Sequence, residues 1–547
     1  MSTWEPELSE LAHRRELARR MGGAERVARQ HATGRLTVRE RVTALLDPGS
    51  WREVGTLTAA ASYAADGTLA DAVPANTVIG QGRLDGRRVV VAGDDFTVRG
   101  GAADATIHEK QVAAERMAHD LRIPIVRLLD GTGGGGSVKS LDDLGRTYVP
   151  WLPGWDLVVA NLARVPVLAC ALGPVVGLGA ARLVSAHLSI AVRGLSQVFV
   201  AGPALVEAGM RERVDREALG GVDVVARAGT VDLVVDSEAA AFAAVRTLLG
   251  YLPQHAWALP PRAAGDPAGG DRGAGAPRAG APDAAGPRGP GWDDPGRTDP
   301  ALRDLVPRDR RRPYDVRALL SSVFDGGSVV ELGRAYAPAT VTALARLDGW
   351  PVAVLASDPR VYGGGMTAAG ADKVTRFVDL AGTFHLPVVH LVDQPGFVIG
   401  SAAERAGTIR HGARALAAIY QCPVPWASVL VRRAYGVAGG AHRPHHRHTY
   451  RIAWPSGDWG SLPVEGGLEV AFKRLLAEAG PDAERQKAEI AARLDAVRSP
   501  FRTAEAFLVE EIVDPSDTRP LLCDWVSSAY DLLGTEPPKP DAPAARP

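Results

Sequence analysis

Short apolar runs alternate with amphipathic segments in both halves of the chain. The runs IPIVRLLD (residues 123–130) and LPVVHLVD (residues 386–393) are rich in branched apolar residues with a proline near the start, which predicts buried strands. Residues 106–121 predict an amphipathic helix with the apolar positions Ile107, Val112 and Met117. Strand, helix and strand joined by right-handed crossovers predict an α/β domain whose strand ends carry the site.

The two halves of the chain repeat each other. Five pairs of identical residues are each separated by 263 positions: Asp95/Asp358, Gly100/Gly363, Lys110/Lys373, Pro124/Pro387 and Asp130/Asp393. The match resumes after a small length change, since residues 165–177 and 424–436 both run from Val-Pro to a glycine. Self-similarity of this kind predicts a duplicated domain.

Composition marks the boundary between the halves. Residues 262–300 consist mainly of Ala, Gly, Pro, Arg and Asp, which bury too little apolar surface to offset ordering entropy, and they are predicted to be a mobile linker. We therefore expect an N-terminal domain at 1–261 and a C-terminal domain at 301–535. The Pro/Ala-rich residues 536–547 are predicted to be a disordered tail.

Each half places a glycine turn between a buried strand and a predicted helix. The turns are Gly177-Leu178-Gly179-Ala180 and Gly436-Val437-Ala438-Gly439. Backbone N–H groups at such a turn approach a ligand closely, and two of them aimed at one point form an oxyanion hole. The alternative is that these glycines only let strand and helix pack closely, and spacing alone leaves both interpretations open.

Other motifs are excluded or weak. Gly131–Ser137 lacks the lysine of a nucleotide P-loop, and Gly363–Gly365 lacks the acidic residue of a dinucleotide fingerprint. No Gly-x-Ser-x-Gly or His-Glu-x-x-His motif occurs. The candidate metal ligands are His442, His445, His446 and His448. Interleaved arginines repel a cation, so a solvated basic loop is the favoured interpretation.

Composition removes several classes of function. Lys+Arg 62 against Asp+Glu 63 gives a net charge of −1, which argues against a general nucleic-acid binder. Three scattered cysteines (Cys170, Cys422 and Cys523) exclude a disulfide scaffold and a Cys-only zinc site. The apolar stretch 165–181 contains two prolines and three glycines, which is atypical of a membrane span, and the N-terminus is too charged for a signal peptide. We expect a cytoplasmic protein.

Seven segments together carry a family resemblance. They are Gln30–Gly55, Asp95–Lys110, Leu248–Gln254, Gly407–Leu416, Arg433–Ala441, Ile452–Ser456 and Ile512–Leu522. With them the chain resembles the carboxyltransferase (β) subunit of biotin-dependent acyl-CoA carboxylases, such as propionyl-CoA carboxylase. The resemblance implies two tandem crotonase-like (ββα-spiral) domains and transfer of carboxylate from carboxybiotin to the α-carbon of an acyl-CoA.

The resemblance also implies the site. The N-terminal domain would bind CoA, and the C-terminal domain of a neighbouring subunit would bind biotin, within a hexamer built of dimers. The Leu178/Gly179 amides would stabilise the thioester enolate, and the Val437/Ala438 amides the ureido oxygen of biotin. Decarboxylation of carboxybiotin would generate the base, so no side-chain base is needed. The implied CoA- and biotin-contacting residues are Gly100, Gly101, Gly133, Gly134, Gly177, Phe397 and Gly436.

The sequence also bears on a partner subunit and on two alternative functions. None of the five methionines lies in an Ala-Met-Lys-Met biotinylation motif, so a separate biotinylated α subunit, with biotin carboxylase and carrier, is implied. Leu178 and Val437 stand where the family usually has glycine, and Thr132–Gly136 lacks the family's arginine. These departures leave open a biotin-independent decarboxylase, or other acyl-thioester enzyme, on the same scaffold and a catalytically silent scaffold subunit.

Overall fold

The computed structural model describes residues 3–102, 107–131, 142, 145–147, 149, 151–263, 293–444 and 449–535. The chain divides into two compact units, unit 1 (Met1–Ala258) and unit 2 (Leu259–Ala542). Most of the predicted linker and all of the predicted tail lie outside the described residues. Residues 293–300, which composition assigned to the linker, contact unit 2, because Arg519 donates hydrogen bonds to the carbonyls of Asp293 and Asp294.

A mixed sheet forms the centre of unit 1. Its neighbouring strands are β1 (Arg52–Val54), β4 (Thr77–Leu84), β5 (Arg87–Asp94), β6 (Ile125–Gly131), β7 (Val167–Val176), β8 (Leu188–Val192) and β10 (Leu233–Val235), with β9 (Gln197–Phe199) beside β7. The first two pairs are antiparallel and the rest are parallel. A separate hairpin joins β2 (Ala59–Tyr63) and β3 (Leu69–Pro74).

Unit 2 repeats this topology. Its strands are, in order across the sheet, β11 (Val330–Leu332), β12 (Thr340–Leu347), β13 (Trp350–Ser357), β14 (Val388–Gln394), β15 (Trp426–Tyr435), β16 (Thr449–Ala453) and β18 (Glu511–Ile512), with β17 (Asp458–Gly460) beside β15. Strands β12, β13 and β14 begin 263 residues after β4, β5 and β6. The predicted duplication is therefore confirmed, strand for strand.

Helices flank both sheets. Those of unit 1 are α1 (Glu5–Arg19), α2 (Ala24–Ala32), α3 (Val38–Leu45), α4 (His108–Leu121), α5 (Trp155–Asn161), α6 (Leu178–Val184), α7 (Pro203–Met210), α8 (Arg216–Gly220), α9 (Val222–Arg227) and α10 (Glu238–Tyr251). Those of unit 2 are α11 (Leu302–Leu305), α12 (Val316–Val323), α13 (Ala368–Thr383), α14 (Ser401–Arg405), α15 (Thr408–Gln421), α16 (Gly436–Gly440), α17 (Val464–Ala471), α18 (Lys473–Glu478), α19 (Ala483–Val497), α20 (Pro500–Glu505) and α21 (Thr518–Thr535). Within the described ranges, no helix combines the length and apolarity that crossing a bilayer requires.

The predicted helix after β5 is confirmed as α4, but the apolar positions named from the sequence are not its most buried ones. Ile107, Val112 and Met117 are half-buried, with Met117 against the core, whereas Lys110, Ala114, Glu115 and Ala118 are buried. Small alanines let the helix approach the sheet. The Glu115 carboxylate is neutralised there by the fully buried Arg127, which donates to it at 2.9 and 3.0 Å.

The duplication extends to an ion pair that ties a helix to the first strand of each sheet. In unit 1, Arg39 of α3 contacts Glu53 of β1 at 2.6 Å. In unit 2, Arg317 of α12 contacts Glu331 of β11 at 2.7 Å, and both members lie 278 residues further along the chain. Identical pairing at equivalent positions confirms that the N-terminal part of each unit repeats as well.

Candidate active site

The first glycine turn lies where β7 ends and α6 begins. Gly177 has φ 60° and ψ −117°, a backbone conformation that a residue with a side chain rarely adopts. Its N–H donates to the carbonyl of Phe199 on the neighbouring strand, at 3.1 Å. The next two N–H groups, of Leu178 and Gly179, are in the first turn of α6, where amides have no intrahelical acceptor and the helix dipole is positive. N–H groups in this position can donate hydrogen bonds to an anionic oxygen.

The second turn lies at the end of β15, and its glycine has a matching φ angle. Gly436 has φ 59°, within one degree of Gly177. The amides of Val437 and Ala438 follow in the first turn of α16, as those of Leu178 and Gly179 do in α6. The Val437 side chain is 58% exposed, whereas Ala438 is buried.

The space around the two glycines separates the two interpretations of these turns. A Cβ atom at Gly177 would meet nothing within 4 Å, and one at Gly436 would meet only the Ser461 carbonyl oxygen at 3.5 Å. Close packing therefore does not explain the glycine at these two positions. Glycine is needed because the backbone has a positive φ there, which sets the direction of the following amides. Gly439 differs, since its Cβ would lie 2.5 Å from the Ala434 carbonyl carbon.

The other predicted contact residues lie on loops at the same ends of the strands. Gly100 and Gly101 form a 3₁₀ turn after β5, with φ 65° and 63°. A Cβ at Gly101 would lie 2.4 Å from the Asp130 carbonyl oxygen, so this glycine is required by packing against the end of β6. Phe397 follows β14 and its ring packs on Gly412 of α15, where a Cβ would lie 2.3 Å from it. Gly133 and Gly134, with the rest of Thr132–Gly136, lie outside the described residues.

The comparisons with known proteins agree with this architecture. Residues 29–531 match the carboxyl transferase domain family. The chain belongs to this family. Its relatives include the methylmalonyl-CoA carboxyltransferase 12S subunit of Propionibacterium freudenreichii, 32% identical over 98% of this chain and 95% of the relative. The carboxyltransferase subunit of propionyl-CoA carboxylase from Haloferax mediterranei is 30% identical, over 94% of this chain and 95% of its own.

A solved carboxyltransferase structure has the same fold. The transcarboxylase 12S hexamer, crystallised with methylmalonyl-coenzyme A and methylmalonic acid, superposes with a TM-score of 0.81 at 29% identity, covering 97% of both chains. The two tandem crotonase-like domains expected from the resemblance are thus confirmed. The comparisons favour acyl-CoA carboxyl transfer over the decarboxylase and scaffold alternatives.

Beside the first turn of this carboxyltransferase-family chain, the repeated aspartate at the end of β6 is committed to ion pairs. Asp130 is fully buried and contacts Arg35 at 2.9 Å and Arg41 at 2.8 Å. A Cβ at Gly173 would lie 2.1 Å from the Asp130 carboxylate, so glycine on β7 makes the room for this cluster. Each carboxylate oxygen is paired with one arginine, which holds the N-terminal segment against the sheet, while burial raises the pKa of Asp130 to about 6.

In unit 2, the equivalent aspartate is neutralised by arginines that belong to a different secondary-structure element. Asp393 contacts Arg432 at 2.8 Å and Arg433 at 2.7 Å, both on β15. Burial opposes ionisation of Asp393, but hydrogen bonds and charge from these two arginines outweigh it and hold the pKa of the carboxyl below its usual range. The 263-residue spacing identified both aspartates in the sequence, but nothing in the sequence predicted which arginines pair with them.

His442 is not part of a solvated loop, contrary to the interpretation drawn from the composition of the histidine cluster. This side chain is 9% exposed, and its Nδ1 lies 2.6 Å from the Gly439 carbonyl oxygen. A carbonyl only accepts, so Nδ1 carries the proton and donates it. In the described part of the chain, no group of three or more His, Cys, Asp and Glu is placed to hold a metal. His445, His446 and His448 lie outside the described residues.

Proposed function

We propose that this chain is the carboxyltransferase subunit of a biotin-dependent acyl-CoA carboxylase, which moves carboxylate onto the α-carbon of an acyl-CoA. The observation that carries the proposal is the pair of glycine turns, one per unit, each with a glycine at φ near 60° followed by two amides in the first turn of a helix. A reaction that develops negative charge on two oxygens needs two such pockets.

In unit 1, the Leu178 and Gly179 N–H groups would donate to the thioester oxygen as it gains negative charge on loss of the α-proton. Removing one such donor typically costs about 3–4 kcal/mol in barrier height. Gly177 would bring the backbone close to the thioester, and Gly100, Gly101, Gly133 and Gly134 would border the bound CoA ester. Exposed Val437 and half-buried Leu178 replace glycine beside amides that remain available, so these changes reshape the pockets without removing donors.

In unit 2, the Val437 and Ala438 N–H groups would hold the ureido oxygen of biotin, with Gly436 and Phe397 beside it. The donor set fits this group, since a ureido oxygen is a pure acceptor and the turn offers only donors. Carboxybiotin supplies the carboxyl group when bound. The aspartates beside the two turns, Asp130 and Asp393, are held by arginines, in keeping with a reaction in which no side chain takes the α-proton.

The proposal includes partners. A biotinylated α subunit would deliver carboxybiotin, because the chain contains no biotinylation motif of its own. The unit 1 pocket of one subunit would meet the unit 2 pocket of a neighbour in a hexamer. The 12S relative assembles as a hexamer, which supports this arrangement.

A reconstitution tests the proposal. The purified chain is combined with a biotinylated α subunit, ATP, bicarbonate and a panel of short, branched and long acyl-CoAs, and carboxylated product is measured by mass spectrometry. Product that depends on biotin and on this chain supports the proposal. Carbon dioxide released from malonyl or methylmalonyl thioesters without biotin, and no carboxylation of any acyl-CoA, would overturn it.

A further inference from the structure

The helix that carries the second turn has little stability of its own. α16 is five residues long and contains Gly436, Gly439 and Gly440. Glycine in a helix costs about 1 kcal/mol relative to alanine, and so short a helix gains little from its own hydrogen bonds. The corresponding helix of unit 1, α6, has seven residues and a single glycine, Gly179. The amides of the second turn therefore depend on support from outside their helix.

His442 supplies such support. Its ring donates from Nδ1 to the carbonyl oxygen of Gly439, in the last turn of α16, at 2.6 Å. Its own carbonyl accepts a short hydrogen bond from the Ser428 hydroxyl on β15. Ser428 is 2% exposed and sits in the parallel pairing between β14 and β15. A continuous chain of hydrogen bonds thus connects the rigid sheet to the helix that presents the Val437 and Ala438 amides.

The described part of unit 1 supports its turn helix with a different residue, since the buried Arg127 of β6 donates to the carbonyl oxygens of Arg182 and Ser185 at the end of α6, at 3.0 and 2.6 Å. Gly177 and Gly436 are 259 residues apart, and the same spacing places Leu183 opposite His442. Leu183 is fully buried and belongs to the apolar core of unit 1. The histidine therefore occurs in the unit whose turn helix is short and rich in glycine, and an apolar residue occurs in the unit whose helix is longer.

The ring is neutral under ordinary conditions. Burial lowers the pKa of His442 to about 4, so one ring nitrogen carries a proton and the other does not. The Nε2 atom has no hydrogen-bond partner within the described ranges, so the bond to Gly439 is the single hydrogen bond found for the ring there.

We infer that His442 is a positioning residue for carboxyl transfer, holding the Val437 and Ala438 amides in the orientation that the second oxyanion pocket requires through its bond to Gly439. This inference rests on the proposed function. It assigns His442 no contact with substrate, and it predicts an effect on the biotin side of the reaction only.

The test compares His442→Leu and His442→Asn in the reconstituted enzyme. Leucine is the residue that unit 1 has at this position, and the Asn amide nitrogen can replace Nδ1 as a donor. We expect His442→Leu to lower kcat roughly 10- to 100-fold, since a misplaced donor costs somewhat less than a missing one.

Three further readouts distinguish positioning from general damage. The KM for acyl-CoA stays unchanged in His442→Leu, because that substrate binds to unit 1, while His442→Asn recovers most of the lost rate. Hydrogen exchange of the peptide spanning residues 433–441 becomes faster in His442→Leu, a readout that needs no activity.

The inference is overturned if His442→Leu has the wild-type kcat and the wild-type rate of hydrogen exchange in the peptide spanning residues 433–441. It is also overturned if His442→Asn fails to recover the rate of a slowed His442→Leu. A wild-type enzyme that carboxylates no acyl-CoA refutes the proposed function instead, and the exchange measurement then still decides whether His442 braces the turn.

Discussion

Lys110 and Lys373 occupy equivalent positions in the two repeats, 263 residues apart, yet their surroundings differ. The Lys373 ammonium donates to the carbonyl oxygens of Gly333 (2.8 Å), Tyr336 (3.0 Å) and Thr340 (2.7 Å). In the described part of the chain, no hydrogen bond is found for the ammonium of the equally buried Lys110. Replacing each lysine by methionine, which keeps the length and removes the charge, is therefore expected to have opposite consequences.

Lys373→Met leaves three carbonyl groups without their donor. Hydrogen bonds to a charged group contribute about 1.5–3 kcal/mol each, and they do not add fully when one ammonium makes all three. We expect the free energy of unfolding of unit 2 to fall by about 3–5 kcal/mol.

Lys110→Met removes a charge whose burial is uncompensated. Burial lowers the pKa of Lys110 from 10.5 to about 8, so between these values the unfolded chain holds a proton that the folded chain has lost. Stability therefore rises with pH across this window by about 1.4 kcal/mol per unit, and the cost is fully present below pH 8. At pH 7 we expect Lys110→Met to be neutral or stabilising by up to about 3 kcal/mol.

Urea unfolding followed by tryptophan fluorescence, at pH 7.0 and pH 9.5, checks both variants. The Lys110→Met midpoint should lose part of the wild type's pH dependence, and the Lys373→Met midpoint should fall at both pH values. Equal losses for the two variants, or a Lys373→Met protein within about 1 kcal/mol of the wild type, would refute the reasoning from these hydrogen bonds.

Three further outcomes are expected. Burial lowers the pKa of His390 to about 3 and that of His442 to about 4, so each histidine lowers wild-type stability by about 1.4 kcal/mol for each pH unit below 6.5. His390→Leu removes the first contribution and should resist urea better at pH 5 by about 2 kcal/mol. Gly101→Ala should lower the unfolding midpoint by the equivalent of about 3 kcal/mol or more, because its Cβ would meet the Asp130 carbonyl at 2.4 Å. Gly86→Ala, with positive φ but nothing within 4 Å, should cost only about 1–2 kcal/mol in the same urea titration.

The fold was predictable because two signals agreed. The apolar runs before Asp130 and Asp393 are β6 and β14, and the constant spacing between the halves became a constant spacing between strands. The local pattern of apolar residues did not predict burial where an ion pair with a distant residue makes that burial possible. The buried face of α4 includes Glu115, which the sequence pattern assigns to solvent and which Arg127 neutralises from the next strand.

The backbone turns of the candidate site could be predicted from the sequence, but the side chains that contact those turns could not. The positive φ of Gly177 and Gly436 follows from glycine between strand and helix, so the turns were identifiable. His442 lies among arginines and histidines in sequence, which suggests solvent, and only the tertiary contact with Gly439 shows otherwise.

The central claim is that backbone N–H groups at the two turns stabilise the developing charge, and proline tests it directly. Proline is tolerated in the first turn of a helix and removes a single N–H, whereas alanine at the same position keeps it. Leu178→Pro and Val437→Pro are each compared with Leu178→Ala and Val437→Ala in the reconstituted carboxylase, after circular dichroism has shown all four to be folded. We predict that kcat/KM falls roughly 10²- to 10³-fold in each proline variant and stays within about tenfold of the wild type in each alanine variant. Folded proline variants that work at the wild-type rate, or alanine variants that lose as much as the proline variants, would contradict the account.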